Sequence, residues 1–361
     1  MRVVIAGGGT GGHVQPAVAL ARSLTADEVS FVGTARGAEA RLVPSAGLAL
    51  DTIDIAGFDR SRPWSLVSLG PRAMTATVQA RSLLAARAPD VVVGMGGYVS
   101  LPVCAAARSR GVRIILHEQN AVLGLANRVC KPLANRVAVS WKDTLKQAGP
   151  RGVFTGNPIL PEIAHFDPPA HRAEGLATFG LDPGRKTLLV FGGSQGARRL
   201  NEAAIGLIEA WTGRNDRQVL HLTGPGDYEE MAAQARQSDF PYKVVDLLAD
   251  MRPAYAVADL VLCRGGASTV AEITAAGLPA IIVPYPYHRD RQQERHARSL
   301  QQAGAALMLQ DASTTAASVG YLADSLFETA GTLTAMAKAS RDLAQPDAAE
   351  HLAAVVHEAS A

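Results

Sequence analysis

Short, unbroken apolar runs recur along the chain: Val3–Ala6, Val29–Val32, Val91–Val93, Arg113–Leu116, Val137–Val139, Thr187–Phe191, Val219–Leu222, Leu260–Cys263 and Ala280–Val283. Stretches of helical character lie between most of them. Continuous runs lack the alternation of a strand with one wet face. They predict strands covered on both sides, in a parallel sheet with helices above and below. The pattern also echoes itself. A strand followed by Gly-Gly-Gly-Thr-Gly-Gly spans Arg2–Gly12, and a strand followed by Gly-Gly-Ser-Gln-Gly spans Thr187–Gly196. Aligning Gly8 with Gly192 gives an offset of 184 residues, about half the chain, so two similar α/β halves are expected. The proline-rich stretch Gly156–Arg172 reads as the linker, giving an N-terminal domain of 1–157 and a C-terminal domain of 158–345. Pro346, followed by Asp347 and Glu350, predicts a last helix running to about Ala359.

Composition narrows the function. With 361 residues, 48% of them hydrophobic and 19% charged, the chain has ample material for folded cores. A net charge of +2 gives no electrostatic argument for nucleic acid as a partner. Cys104, Cys130 and Cys263 are odd in number and far apart, which fits a reducing compartment and no disulfide framework. The N-terminus runs from a strand straight into glycines and does not read as a signal peptide. The uncharged run Val91–Ala107 is interrupted by Gly94, Gly96, Gly97 and Pro102. It reads as a buried strand, a glycine turn and a helix start, so no membrane-spanning helix is expected.

The candidate chemistry lies where strands end. Gly7, Gly9 and Gly12 fit G-x-G-x-x-G after a strand, a turn that lets backbone approach a phosphate at a helix N-terminus. The nicotinamide version needs a carboxylate closing the second strand. Here that strand closes on Gly33-Thr34, which counts against a dinucleotide. His13 opens the following helix and is a candidate general base, since imidazole titrates near neutrality. Further glycine turns occur at Gly94–Tyr98 and Gly192–Arg198. Thr269 and Glu272 have the spacing of a capping box; alternatively, Glu272 is a carboxylate for a ribose diol below amides that hold a diphosphate. Gln292 and Gln293 carry donors and acceptors suited to sugar hydroxyls. His117-Glu118 lacks the spacing of a metal helix, and no D-x-D occurs in the chain, so neither a metal nor a cofactor is expected.

These segments together resemble one family. They are GGTGGHV (8–14), GMGGYVS (94–100), LHEQN (116–120), TGNP (155–158), FGGSQGAR (191–198), the run Cys263–Pro279 and DRQQ (290–293). The family is the UDP-N-acetylglucosamine–N-acetylmuramyl-(pentapeptide) pyrophosphoryl-undecaprenol N-acetylglucosamine transferases, and the resemblance covers nearly the whole chain. It implies a GT-B fold of two Rossmann-like domains facing across a cleft, with the last helix packing back on the N-terminal domain. It implies an inverting transfer of GlcNAc from UDP-GlcNAc, bound by the C-terminal half, to lipid I, bound by the N-terminal half. It assigns His13 as base, and Thr10, Gly11 and Gly12 to the acceptor-side loop. Ser194 falls to the donor, the backbone of Leu248 to uracil, Ala267, Ser268 and Thr269 to the diphosphate and sugar, and Glu272 to the ribose. Asn120, Gln292 and Gln293 fall to GlcNAc hydroxyls.

The lipid acceptor implies peripheral contact with the inner leaflet of the cytoplasmic membrane. Phe58–Leu69, with Trp64 and Leu66 among Arg60, Arg62 and nearby Arg72, is the candidate segment. One position departs from the family pattern. Leu160 stands where an arginine commonly contacts the nucleotide, leaving Arg264 and Arg198 as candidate replacements. The alternative activity on the same fold is a nucleotide-sugar epimerase, which would need a carboxylate pair that the motifs do not supply.

Overall fold

A computed structural model describes residues 1–9, 11–55, 65–288 and 290–360, with residues 65–70 described in backbone only. The chain divides into two compact units, Met1–Pro161 with Gln345–Ala361, and Glu162–Ala344.

The first unit is built on β1 (Arg2–Ala6), β2 (Glu28–Gly33), β3 (Ala49–Thr52), β4 (Val91–Gly94), β5 (Arg113–Glu118), β6 (Arg136–Val139) and β7 (Gly152–Phe154). These pair in parallel in the order β3-β2-β1-β4-β5-β6-β7. The apolar runs work as the sequence implies. Along β1, Val3 and Ile5 enter one core while Val4 and Ala6 enter the core on the other face, as side chains alternate across a strand. On one face lie α1 (Gly11–Ser23) and α2 (Glu39–Ser45); α3 (Ser65–Arg87), α4 (Gly97–Ser109) and α5 (Leu125–Cys130) complete the helices used below. The C-terminal helix Ala348–Ser360 belongs to this unit. Its Leu352, Ala353, Val355 and Val356 share a core with Val14, Ala17 and Val18 of α1. Burial of each such large side chain contributes about 1.5–3 kcal/mol.

The second unit has β8 (Lys186–Phe191), β9 (Arg217–Leu222), β10 (Tyr242–Val245), β11 (Leu260–Cys263), β12 (Ala280–Ile282) and β13 (Ala306–Met308). All are parallel, in the order β10-β9-β8-β11-β12-β13. Each unit therefore winds outward in both directions from a central strand, the doubly wound Rossmann-like plan. Order reverses between β1 and β4 in one unit and between β8 and β11 in the other. Open parallel sheets bind ligands at such switch points, beyond the carboxyl ends of the strands. The glycine turns at 7–12, 94–98, 192–196 and 264–266 follow those four strands.

Four strands escape the sequence reading: β3, β7, β10 and β13. They are the outermost strands of the two sheets. Each is short and largely half-exposed, so none carries a long two-face apolar run. Cys104, Cys130 and Cys263 are buried free thiols. No helix among the described residues is long and apolar enough to cross a membrane.

Candidate active site

In the first unit, His13 sits in the first turn of α1. Its imidazole lies against Gly96, where an added Cβ would come within 3.1 Å of His13 Cδ2. Gly96 also has φ +87°, a conformation open to glycine. The second glycine turn thus makes room for the imidazole. Burial is the main influence on His13 and lowers its pKa below the ordinary 6.5, while the charges of Glu118 and Glu39 act to raise it.

Glu118, which sequence reasoning passed over once a metal helix was ruled out, organises this corner. Its Oε1 accepts from the Asn120 backbone N–H at 3.1 Å and from Asn120 Nδ2 at 3.0 Å. Its Oε2 accepts from Gly124 N–H and Asn127 Nδ2, both at 2.8 Å. Asn120 therefore spends an amide hydrogen on Glu118. Next to it, His117 is fully buried and its Nε2 lies 3.1 Å from Gly156 O. Burial holds its pKa down to about 4, so it is neutral and structural at physiological pH.

The glycine loop itself departs from expectation. The second strand closes without a carboxylate of its own, but a carboxylate does arrive there, six residues later. Glu39 is completely buried beneath the turn and accepts from Gly9 N–H at 2.9 Å. The Gly9 amide is thus turned inward. Gly11, by contrast, faces open space. Thr10 lies outside the described residues, as do residues 58–64 of the expected membrane segment; the side chains of Ser65–Leu69 are likewise not described.

In the second unit, the helix Ala267–Ala275 starts directly after the loop that leaves β11. Gly266 is its N-cap and no side chain caps it, so Thr269 and Glu272 form no capping box. The first amides of a helix lack intrahelical acceptors. Beside them the buried Ser268 hydroxyl has no hydrogen-bond partner, a group that a ligand would satisfy. Glu272 instead receives the phenol of fully buried Tyr255 at 2.6 Å. Burial pushes its pKa up to about 7, and the Tyr255 bond pulls the other way. Tyr255 had no signal in the sequence, because it arrives from a different helix.

The remaining assigned residues lie in loops or helix starts beyond strand ends. Ser194 is exposed in the turn after β8 and Leu248 is half-buried after β10. Gln293 is less free than its assignment suggests. Its Oε1 accepts from Gly265 N–H at 3.2 Å and Tyr285 N–H at 2.9 Å, which leaves its Nε2 as the end not engaged by these bonds. Gln292 Nε2 donates to Asp290. Neither candidate replacement for the missing arginine is idle. Arg198 pairs with Glu202, Asp227 and Glu230, and Arg264 pairs with Asp311 at 2.6 Å. Leu160 packs against the core of the first unit, which is work an arginine does poorly.

Models of the glycosyltransferase family 28 N-terminal and C-terminal domains match residues 3–139 and 187–352. The chain belongs to this family of glycosyltransferases. Its curated relatives are named UDP-N-acetylglucosamine--N-acetylmuramyl-(pentapeptide) pyrophosphoryl-undecaprenol N-acetylglucosamine transferase. The one from Nocardioides sp. is 45% identical over 99% of this chain and 98% of its own. The one from Halothermothrix orenii is 40% identical over 96% and 95%. Among solved structures, the Acinetobacter baumannii MurG crystal structure superposes with a TM-score of 0.78 at 29% identity, covering 99% of both chains. A UDP-GlcNAc 2-epimerase from Neisseria meningitidis superposes with a TM-score of 0.68 at only 11% identity, a likeness of fold. The epimerase alternative is less supported, since it rests on likeness of fold.

Proposed function

We propose that this glycosyltransferase moves GlcNAc from UDP-GlcNAc to the 4-hydroxyl of MurNAc in lipid I, giving lipid II with inversion at the anomeric carbon. The observation that carries the reading is the start of the helix Ala267–Ala275. Uncapped amides, the orphaned Ser268 hydroxyl and a carboxylate held by Tyr255 stand together there, as a nucleoside diphosphate requires.

In this mechanism His13 takes the proton of the attacking hydroxyl, a contribution of about 10²–10⁴-fold. A base of lowered pKa is already neutral at physiological pH and so ready to accept it. The departing UDP develops negative charge on its diphosphate. The amides of Ala267, Ser268 and Thr269 and the positive end of their helix stabilise that charge. Glu272 accepts from the ribose hydroxyls. Ser194 contacts the donor, and Leu248 presents its backbone to uracil. Asn120 Oδ1, Gln292 and Gln293 Nε2 orient the transferred sugar. Thr10, Gly11 and Gly12 line the acceptor side.

The lipid tail of the acceptor calls for peripheral contact with the inner leaflet of the membrane. Met74 and Val78 of α3 are 72% and 64% exposed, and Leu125 and Val129 of α5 are 72% and 56% exposed. Each pair is spaced four residues apart, on one helix face, with Arg72 and Arg128 nearby in sequence to meet anionic headgroups.

The donor half of this reading is tested by calorimetry of UDP-GlcNAc binding to the full chain in EDTA. Binding is expected to persist without divalent cations and to weaken at least about tenfold in Glu272→Ala, the loss of charged hydrogen bonds to a diol. Equal binding by the variant would remove the site from the helix start.

A further inference from the structure

The N-terminal glycine turn is wrapped around a side chain of its own chain. Glu39 shows no solvent exposure. Its Oε2 accepts from Gly9 N–H at 2.9 Å, and its Oε1 accepts from Thr34 N–H at 2.9 Å and from the Thr34 hydroxyl at 2.7 Å. The Thr34 hydroxyl in turn accepts from Gly37 N–H at 3.2 Å. Gly9 is gripped a second time, through its carbonyl, by Ala38 N–H at 3.3 Å. The space for the carboxylate is cut from glycines. A Cβ at Gly8 would lie 2.4 Å from Glu39 Oε1, one at Gly37 would lie 2.1 Å from Oε2, and one at Gly33 would lie 2.6 Å from Cγ. Gly8, Gly33 and Gly37 therefore make room for an internal carboxylate.

We propose that Glu39 is a positioning residue for the transfer: its carboxylate clamps the glycine turn at Gly9 and so sets where the start of α1, with Gly11, Gly12 and His13, meets the acceptor. The inference rests on the transferase reading above. Only a carboxylate fits the clamp, because a backbone N–H faces each of its two oxygens. In Glu39→Gln, either amide orientation points an N–H₂ at a backbone N–H, and a buried donor is left without an acceptor. Glu39 also contributes negative charge near His13. Among the described residues, Glu118 and His117, both on β5, also act on His13 or feel it.

The test combines hydrogen exchange of the full chain without substrate and steady-state kinetics, for the wild type, Glu39→Gln and Glu39→Asp. In the wild type the Gly9 amide is expected to be protected, and in both variants the segment 7–13 exchanges faster. Both variants are expected to lose about 100-fold in kcat/KM for a lipid I analogue, as a displaced loop misplaces the acceptor, with UDP-GlcNAc binding within twofold of wild type. In Glu39→Gln the acid limb of the pH profile moves to lower pH; in Glu39→Asp, which keeps the charge, it stays. Unchanged exchange in both variants would overturn the clamp. Faster exchange with wild-type acceptor kinetics would overturn its role in the reaction. If Glu39→Gln does not fold, Glu39→Asp alone decides both points. Failure of the transferase reading is separately visible as a wild-type protein that transfers nothing, and the exchange measurement still decides the clamp.

Discussion

The phenol of Tyr255 and the carboxylate of Glu272 meet at 2.6 Å, a bond made between two helices of the second unit. It makes donor binding pH-dependent. Ribose hydroxyls donate to a carboxylate, so they favour the ionised form. Burial places the unliganded Glu272 at about 7. Affinity for UDP is therefore expected to be full above pH 8 and to fall as pH drops through 7, approaching tenfold per unit below it. Tyr255→Phe removes the bond that lowers this pKa, so the fall begins at higher pH. Calorimetry with UDP between pH 6 and 8.5 checks this; a flat profile for both proteins would separate Glu272 from the ribose.

His13 is shifted the other way. Burial lowers its pKa from 6.5, so with UDP-GlcNAc saturating the acid limb of kcat/KM for the acceptor is expected below pH 6.5. His13→Gln should reduce kcat by about 10²–10⁴-fold with the donor affinity unchanged. A variant that keeps wild-type kcat would mean another group takes the proton.

Gly96→Ala tests the packing that holds the imidazole. The new Cβ would meet His13 Cδ2 at 3.1 Å, at a residue with φ +87°. Backbone strain of this kind costs about 1–3 kcal/mol. A lowered Tm together with reduced kcat is expected; full activity would show that the second glycine turn does not fix His13.

How far the sequence alone carries the account depends on which contacts are local. The nine apolar runs stand out because their strands are buried on both faces, whereas β3, β7, β10 and β13 lie at sheet edges and are short or half-wet. The glycine turns were likewise readable, since they follow strands directly. What they pack around was not. Gly8 meets Glu39, Gly96 meets His13, and Glu272 meets Tyr255, each pair brought together by the fold across a long stretch of chain. The capping-box spacing of Thr269 and Glu272 is a local pattern that misplaces the helix start, which lies at Ala267 behind Gly266.

Attachment of the C-terminal helix is a stability question. Leu352 is fully buried in the core it shares with α1. Leu352→Ala is expected to destabilise the first unit by about 2–5 kcal/mol, read as a lower urea midpoint of that unit. No change would mean that the helix contributes little to this core.

At the membrane, Met74→Asp with Val78→Asp should reduce flotation with anionic liposomes while leaving UDP binding intact. Both side chains are already exposed, so folding is not expected to suffer. Undiminished flotation would place the contact elsewhere.

The central claim is tested most directly by incubating the full chain with radiolabelled UDP-GlcNAc and a lipid I analogue, and following label into the lipid fraction. The account predicts a labelled product with a β-1,4 linkage, formed in EDTA and lost in His13→Gln. A folded protein that binds UDP-GlcNAc yet passes no label to a competent acceptor would contradict it.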